Sequence, residues 1–279
     1  MEKKTVLITG PTSGIGKITA FELAKRNYNL ILLARNPKKA EELQKEIGSK
    51  AETSFVECDL ADLASVAKAI EQVKKEHSSI DVLLNNAGLM MDHEEYTKEG
   101  IEMTFAVNHL GHFLLTNGLI DLLAAGKKSR IVHVSSEAHR IGKFRLDQLV
   151  RPDKFSSWVT YGNSKLANIL FSNELAERLK PVGITSNSLH PGGVATNFAS
   201  ETSGFSKILM YFARPFFKSP EEGARTSIYL ASSPKIEGVT HEYFSDLKIK
   251  EANKDAQSKF LATKLWQMSE ELVKDYAKA

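Results

Sequence analysis

The sequence predicts an α/β protein built on one doubly wound parallel sheet with helices on both faces. Three observations carry that expectation. Short unbroken apolar runs recur along the chain, among them Val6-Leu7-Ile8, Leu30-Ile31-Leu32-Leu33 and Val82-Leu83-Leu84. Stretches of helical period separate them, as parallel strands require. Strands buried on both faces read as continuous apolar runs, without polar alternation. Each run also ends in small or polar residues, Thr9-Gly10, Ala34-Arg35 and Asn85-Asn86-Ala87-Gly88. Open sheets of this kind bind ligands at the carboxyl ends of their strands.

With 279 residues, of which 42% are hydrophobic and 25% charged, the chain can bury a sizeable core and reads as one domain over 1–279. A net charge of +3 without long blocks of like charge gives no reason to expect a nucleic acid partner. The single cysteine, Cys58, excludes an intrachain disulfide and a cysteine-based zinc cluster. It fits a reducing compartment and is expected to pack as a small hydrophobe. The apolar run after Lys3-Lys4 is far too short for a signal-peptide core or a membrane span. A soluble cytoplasmic protein without a transmembrane anchor is the expectation.

The first run, Val6 to Ile8, leads through Thr9-Gly10-Pro11-Thr12-Ser13-Gly14-Ile15-Gly16 into a helix carrying Ile18, Ala20, Phe21, Leu23 and Ala24. A strand, a glycine-rich turn and a helix in that order let the backbone approach a pyrophosphate and aim helix N-terminal amides at its charge. Gly10, Thr12, Ser13, Gly14, Ile15 and Gly16 are therefore candidate dinucleotide-holding residues, with a purely structural turn as the alternative. The second run ends in Ala34-Arg35, where an acidic residue would normally accept from the ribose 2′-hydroxyl of NAD. Ala34 cannot accept; Arg35 would suit the 2′-phosphate of NADP(H), or be a loop cation. Ser54-Phe55-Val56-Glu57-Cys58 forms a third strand closed by Asp59-Leu60, and a helix from Leu63 to Val73 precedes the fourth, Val82 to Leu84. Asn86, Ala87 and Gly88 follow that strand on the rim.

A helix from about Met103 to Leu123 carries Asn108, an amide among Phe105, Val107 and Leu110 that needs partners if buried. His109 and His112 lack a third ligand nearby and read as core or solvent-facing side chains, not as metal ligands. Arg130-Ile131-Val132-His133-Val134 makes a fifth strand running into Ser135-Ser136. No Gly-x-Ser-x-Gly elbow surrounds these serines, so they suit hydrogen bonding to a substrate better than nucleophilic attack. Tyr161 and Lys165 then stand four apart where an amphipathic helix begins, with Leu166, Ile169, Leu170, Leu175 and Leu179 continuing it. Positions i and i+4 share a helix face, and an ammonium beside a phenol favours the phenolate, which fits Tyr161 for acid–base work.

Ile184 to Leu189 gives a sixth strand, followed by His190-Pro191-Gly192-Gly193-Val194-Ala195-Thr196 on the same rim. The aromatic-rich stretch from Phe198 to Phe217 has no strand alternation. A segment over about 197–219 could cover the site as a lid selecting apolar carbonyl compounds. It could equally fill core or a homo-oligomer contact, or dip into a bilayer as a peripheral surface. Helices follow from Pro220 and from about Lys259 to Lys274.

Taken together and in order, the Thr9 to Gly16 loop, Asn85 to Gly88, Asn108, Val134-Ser135-Ser136, Tyr161 with Lys165, and Pro191-Gly192 with Thr196 resemble the short-chain dehydrogenase/reductase family. The likeness spans nearly the whole chain. It is most similar to the retinol-dehydrogenase-like branch, to which Pro220-Glu221-Glu222-Gly223-Ala224, Tyr243-Phe244 and Leu265-Trp266 also point. The resemblance implies a Rossmann-like fold and hydride transfer between a nicotinamide coenzyme and an alcohol or carbonyl compound; Ala34-Arg35 point to NADP(H), and the aromatic stretch to a lipophilic small molecule. By the same resemblance Tyr161 exchanges the proton, and Lys165 holds the nicotinamide ribose and lowers the tyrosine pKa. Ser136 binds the substrate oxygen, with Ser135 as second candidate, and Asn108 supports a proton-relay water. Thr196 helps hold the nicotinamide amide beside Pro191, Gly192 and Val194, while Arg35, Asp59, Leu60, Asn86, Ala87 and Gly88 line the rest of the coenzyme site. Two departures, His241 in place of the branch's usual glycine and no anchor before the first strand, point away from membrane-bound retinoid processing. A nucleotide-sensing protein that kept the fold and lost the chemistry is the alternative, and the intact Ser136, Tyr161 and Lys165 set argues against it.

Overall fold

The computed structural model describes residues 3–192 and 219–277. Among them one sheet is formed by β1 (Thr5–Thr9), β2 (Asn29–Ala34), β3 (Thr53–Glu57), β4 (Val82–Asn85), β5 (Arg130–Val134), β6 (Thr185–His190), β7 (Tyr243–Ser245) and β8 (Lys248–Ile249). Its strand order is β3-β2-β1-β4-β5-β6-β7-β8. Every neighbouring pair is parallel except β7 with β8. This is the doubly wound, Rossmann-like arrangement that the apolar runs predict.

Side chains alternate along a strand, so each run feeds both faces. Val6, Ile8, Leu30 and Leu32 enter one buried cluster, while Leu7, Ile31 and Leu33 enter the other. Helices α1 (Gly14–Lys25) and α2 (Pro37–Ile47) cover the first face. On the second lie α3 (Leu63–Glu76), the short α4 (Met103–Phe105), α5 (Gly111–Gly118) and α6 (Ile120–Ala125). The chain then adds α7 (Asp147–Val150) and α8 (Ser157–Leu179) to that second face, α9 (Pro220–Ser232) to the first, and α10 (Lys259–Val273) to the second. Local chemistry sets several of the starts. Asn36 accepts from Lys39 N at 3.0 Å with Pro37 opening α2, and Asp62 accepts from Ala64 N at 2.9 Å at the head of α3. Ser219 and Glu222 form a reciprocal capping box on α9.

Two expectations need correction. The single helix expected from Met103 to Leu123 is interrupted by a π-turn over Ala106–Leu110, closed by Gly111 N donating to Ala106 O, and again at Leu119. Such π-turns inside helices occur mostly at functional sites, and Asn108 sits in this one. Helix α8 begins a full turn before Tyr161 and is buried on most sides, because it lies on β5 and β6 and is covered by α4 and α10. β7 and β8 are too short to give a periodic signal; Tyr243 and Phe244 become strand because β6 offers Ser188 and Leu189 as partners. Val194, Thr196 and the expected lid segment lie outside the described residues, apart from Ser219 at its end.

Candidate active site

The crevice lies where the connections from adjacent strands β1 and β4 leave in opposite senses. Asn86 ties its two lips together, its Nδ2 donating to Thr9 O at 2.9 Å and Gly10 O at 3.3 Å. A Cβ on Gly16 would stand 2.2 Å from Gly10 O and 2.5 Å from Asn86 Nδ2, so only glycine closes this turn. Ser13 precedes α1 without a side-chain capping bond, and no acidic residue occupies the first turn. The partial positive charge of that helix end is left open to an anion. Gly10, Thr12, Ser13, Gly14, Ile15 and Gly16 thus form one continuous cradle that fits a dinucleotide pyrophosphate.

Arg35 is exposed where β2 ends, next to buried Ala34. Beyond β3, Asp59 Oδ1 accepts from Ala61 N at 3.0 Å, and the Leu60 side chain is sunk in the core, so only the Leu60 backbone can face a ligand. Pro191 and Gly192 follow β6 at the same sheet edge.

The end of β5 is fastened to α8 by three bonds. Ser135 Oγ donates to Lys165 O at 2.7 Å, and Lys165 Nζ and Asn168 Nδ2 donate to Val134 O at 3.1 and 3.2 Å. Ser135 is thereby spent on structure. Ser136 instead accepts from Ala138 N at 3.2 Å, heading the 3-10 turn Glu137–Arg140, and its hydroxyl pairs with Tyr161. Burial pushes the Tyr161 phenol above its usual range, an effect that the Ser136 hydrogen bond only partly offsets. Burial likewise brings Lys165 down to about 8. The expected phenolate is therefore not what this geometry favours. The ammonium donates to Val134 O and stands 5.5 Å from the centre of the tyrosine ring, over the ring's face. At neutral pH Tyr161 holds its proton.

Asn108 is fully buried and both its side-chain donors are used: Oδ1 accepts from Leu89 N at 2.8 Å, and Nδ2 donates to Leu89 O and to Ser164 Oγ, each at 2.9 Å. Ser164 Oγ in turn donates to Tyr161 O at 2.8 Å. A Cβ on Gly88 would meet Lys165 Nζ at 3.1 Å and Asn108 Oδ1 at 3.2 Å. Gly88 thereby lets the segment after β4 close onto the Tyr161 helix. His109 and His112 are buried and point to different partners, Ser269 Oγ and Thr9 Oγ1, each at 2.9 Å. Thr9, His112 and Ser164 are site residues that sequence reasoning missed. Their only signal was spacing: Thr9 precedes the first glycine, His112 stands four after Asn108, and Ser164 three after Tyr161.

A family model described as short chain dehydrogenase matches residues 4–205. The chain belongs to that family. It is 42% identical to retinol dehydrogenase 14 of Homo sapiens over 98% of this chain and 87% of that one. It is also 41% identical to retinol dehydrogenase 13 of Mus musculus over 97% and 84% of the two chains. Among solved structures, an uncharacterized protein from Mycobacterium Paratuberculosis superposes with a TM-score of 0.79 at 33% identity, covering 97% of this chain and 93% of that one. This short-chain dehydrogenase falls in the retinol-dehydrogenase-like branch and is an oxidoreductase of the alcohol–carbonyl class. No helix among its described residues is long and apolar enough to cross a membrane.

Proposed function

We propose that the protein is an NADP(H)-dependent oxidoreductase that interconverts a lipophilic alcohol and its carbonyl compound, with Tyr161 as the proton donor and acceptor. The observation that carries this reading is the pairing of Tyr161 with Ser136 beside buried Lys165, at the mouth of the crevice that begins with the Gly10 to Gly16 cradle. Bound there, the nicotinamide coenzyme supplies or takes up the hydride. Ser136 holds the substrate oxygen by its hydroxyl. Tyr161 gives its proton to that oxygen in reduction and recovers one in oxidation, a role that suits a phenol kept protonated at neutral pH. Lys165 binds the ribose and carries positive charge next to the phenol. Both hydrogens of the Asn108 side-chain amide are spent and its Oδ1 is turned to Leu89 N, so a relay water would be held by the main-chain carbonyl, one lone pair of which His112 already takes.

Arg35 following Ala34 supports NADP(H) over NAD(H). The names of the relatives, together with exposed Trp158 one helical turn before Tyr161 and exposed Ile141 beyond the Ser136 turn, support an apolar substrate. A carbonyl and alcohol panel that includes retinaldehyde and retinol, run with NADPH and NADH and with wild type and Arg35→Ala, tests the reading. A charge-assisted contact to the 2′-phosphate corresponds to about 10- to 100-fold preference for NADPH, most of which Arg35→Ala should lose. Equal use of the two coenzymes by wild type overturns the NADP(H) assignment; failure to reduce any member of the panel overturns the substrate class.

A further inference from the structure

His112 is fully buried in α5 and joins two parts of the crevice. Its Nδ1 lies 3.0 Å from Asn108 O, and its Nε2 lies 2.9 Å from Thr9 Oγ1. A carbonyl oxygen only accepts, so Nδ1 carries the hydrogen, and in the neutral ring Nε2 must accept. The Thr9 hydroxyl therefore donates to His112, the 3.4 Å contact with Leu84 O being the longer alternative. The Thr9 oxygen is left to accept from Asn86 N at 2.9 Å and Ala87 N at 3.0 Å. The direction of every bond in the path is thereby fixed. It runs from the Asn86-Ala87 amides through Thr9 and His112 to the Asn108 carbonyl. From the amide of Asn108 it continues through Ser164 to the Tyr161 carbonyl.

We propose that His112 is a positioning residue with two separable tasks: through Thr9 it sets the Asn86-Ala87 backbone of the coenzyme crevice, and through the Asn108 carbonyl it sets the π-turn against which the Tyr161 helix is held. The proposal rests on reading this crevice as the coenzyme site. It differs from a packing role because the two ring nitrogens serve different ends of the reaction. One faces binding, the other proton transfer.

Two replacements separate the tasks. In His112→Asn the side-chain amide nitrogen takes the place of Nδ1 and keeps the donation to Asn108 O, while the acceptor for Thr9 is lost. In His112→Gln the side-chain oxygen takes the place of Nε2 and keeps Thr9, while the Asn108 bond is lost. NADPH affinity is read from its fluorescence on binding, turnover from the fastest aldehyde of the panel, and stability from the thermal midpoint. His112→Asn should weaken the Kd for NADPH by about two- to tenfold, with the larger part of its defect in binding. His112→Gln should lower kcat by a similar factor of about two to ten, with the Kd close to wild type. Thr9→Val should repeat the His112→Asn phenotype, and Thr9→Val combined with His112→Asn should be no worse than either alone. Parallel loss of Kd, kcat and thermal midpoint in both His112 variants, or additive effects of Thr9→Val and His112→Asn, would overturn the proposal. Wild type that binds NADPH yet reduces no aldehyde defeats the substrate reading only, since the Kd comparison still decides the Thr9 arm. Wild type that binds neither NADPH nor NADH defeats both.

Discussion

Removing the Tyr161 hydroxyl isolates the proton step from the rest of the crevice. Tyr161→Phe keeps the ring that stands 5.5 Å from Lys165 Nζ and the backbone carbonyl that accepts from Ser164, and loses only the hydroxyl paired with Ser136. Positioned acid–base groups contribute about 10² to 10⁴ in rate, so turnover should fall by that factor while NADPH affinity is retained. Turnover near wild type would transfer proton exchange to another group. Ser135 should not stand in for Ser136, since its hydroxyl is already bonded to Lys165 O at 2.7 Å.

At the scale of elements, the Ser136 turn is held from β7 and from the loop after β8. Tyr243 OH donates to Glu137 Oε1 at 2.9 Å, and Arg140 Nε donates to Glu137 Oε2 at 2.7 Å. His139 Nδ1 donates to Ser136 O at 2.7 Å, and its Nε2 accepts from Asn253 N at 3.2 Å. Tyr243→Phe leaves the ring packed against His139 and leaves Glu137 with Arg140 as partner. It should cost about 0.5 to 1.5 kcal/mol of stability, a drop of a few degrees in thermal midpoint. The loss should be larger in kcat than in NADPH affinity, because Glu137 adjoins Ser136 and the coenzyme cradle lies across the crevice. An unchanged midpoint and unchanged kcat would show that β7 does not brace the turn.

For the whole molecule, the buried histidines predict how the fold responds to acid. Burial brings His109 down to about 3 and His112 to about 4, and holds His133 well below its ordinary value. His109 stacks on Phe105 at 5.1 Å and meets Phe171 edge-on at 5.5 Å, and among the described residues its Nδ1 has no hydrogen-bond partner. All three rings are neutral when folded, whereas in the unfolded chain they take up protons near pH 6.5. The stabilisation is therefore complete above about pH 6.5 and is lost as pH falls toward 4, because the unfolded state binds more protons in that window. Each ring contributes up to about 1.4 kcal/mol per pH unit there. Urea midpoints measured from pH 7.5 to 4.5 should fall steeply below 6.5, and His109→Phe should make the fall shallower. A flat profile over that range would mean that these rings are not the acid-sensitive part of the fold.

The sequence by itself determined the elements whose signals are local. Apolar runs closed by small or polar residues marked β1, β2 and β4, because strands covered on both faces read as continuous apolar stretches. The close-packed Gly10 to Gly16 turn was legible because a Cβ at Gly16 has no room, and Tyr161 and Lys165 because four residues make about one helical turn. Tertiary structure decided what depends on distant neighbours. Ser136 rather than Ser135 faces the crevice because α8 presents the Lys165 carbonyl to Ser135. The Tyr161 phenol is raised rather than lowered because desolvation outweighs its hydrogen bond with Ser136. His112 joins Thr9 to Asn108 although 103 residues separate it from Thr9. No periodicity records such a contact, because it is made by packing one helix onto the end of a strand and not by spacing along either.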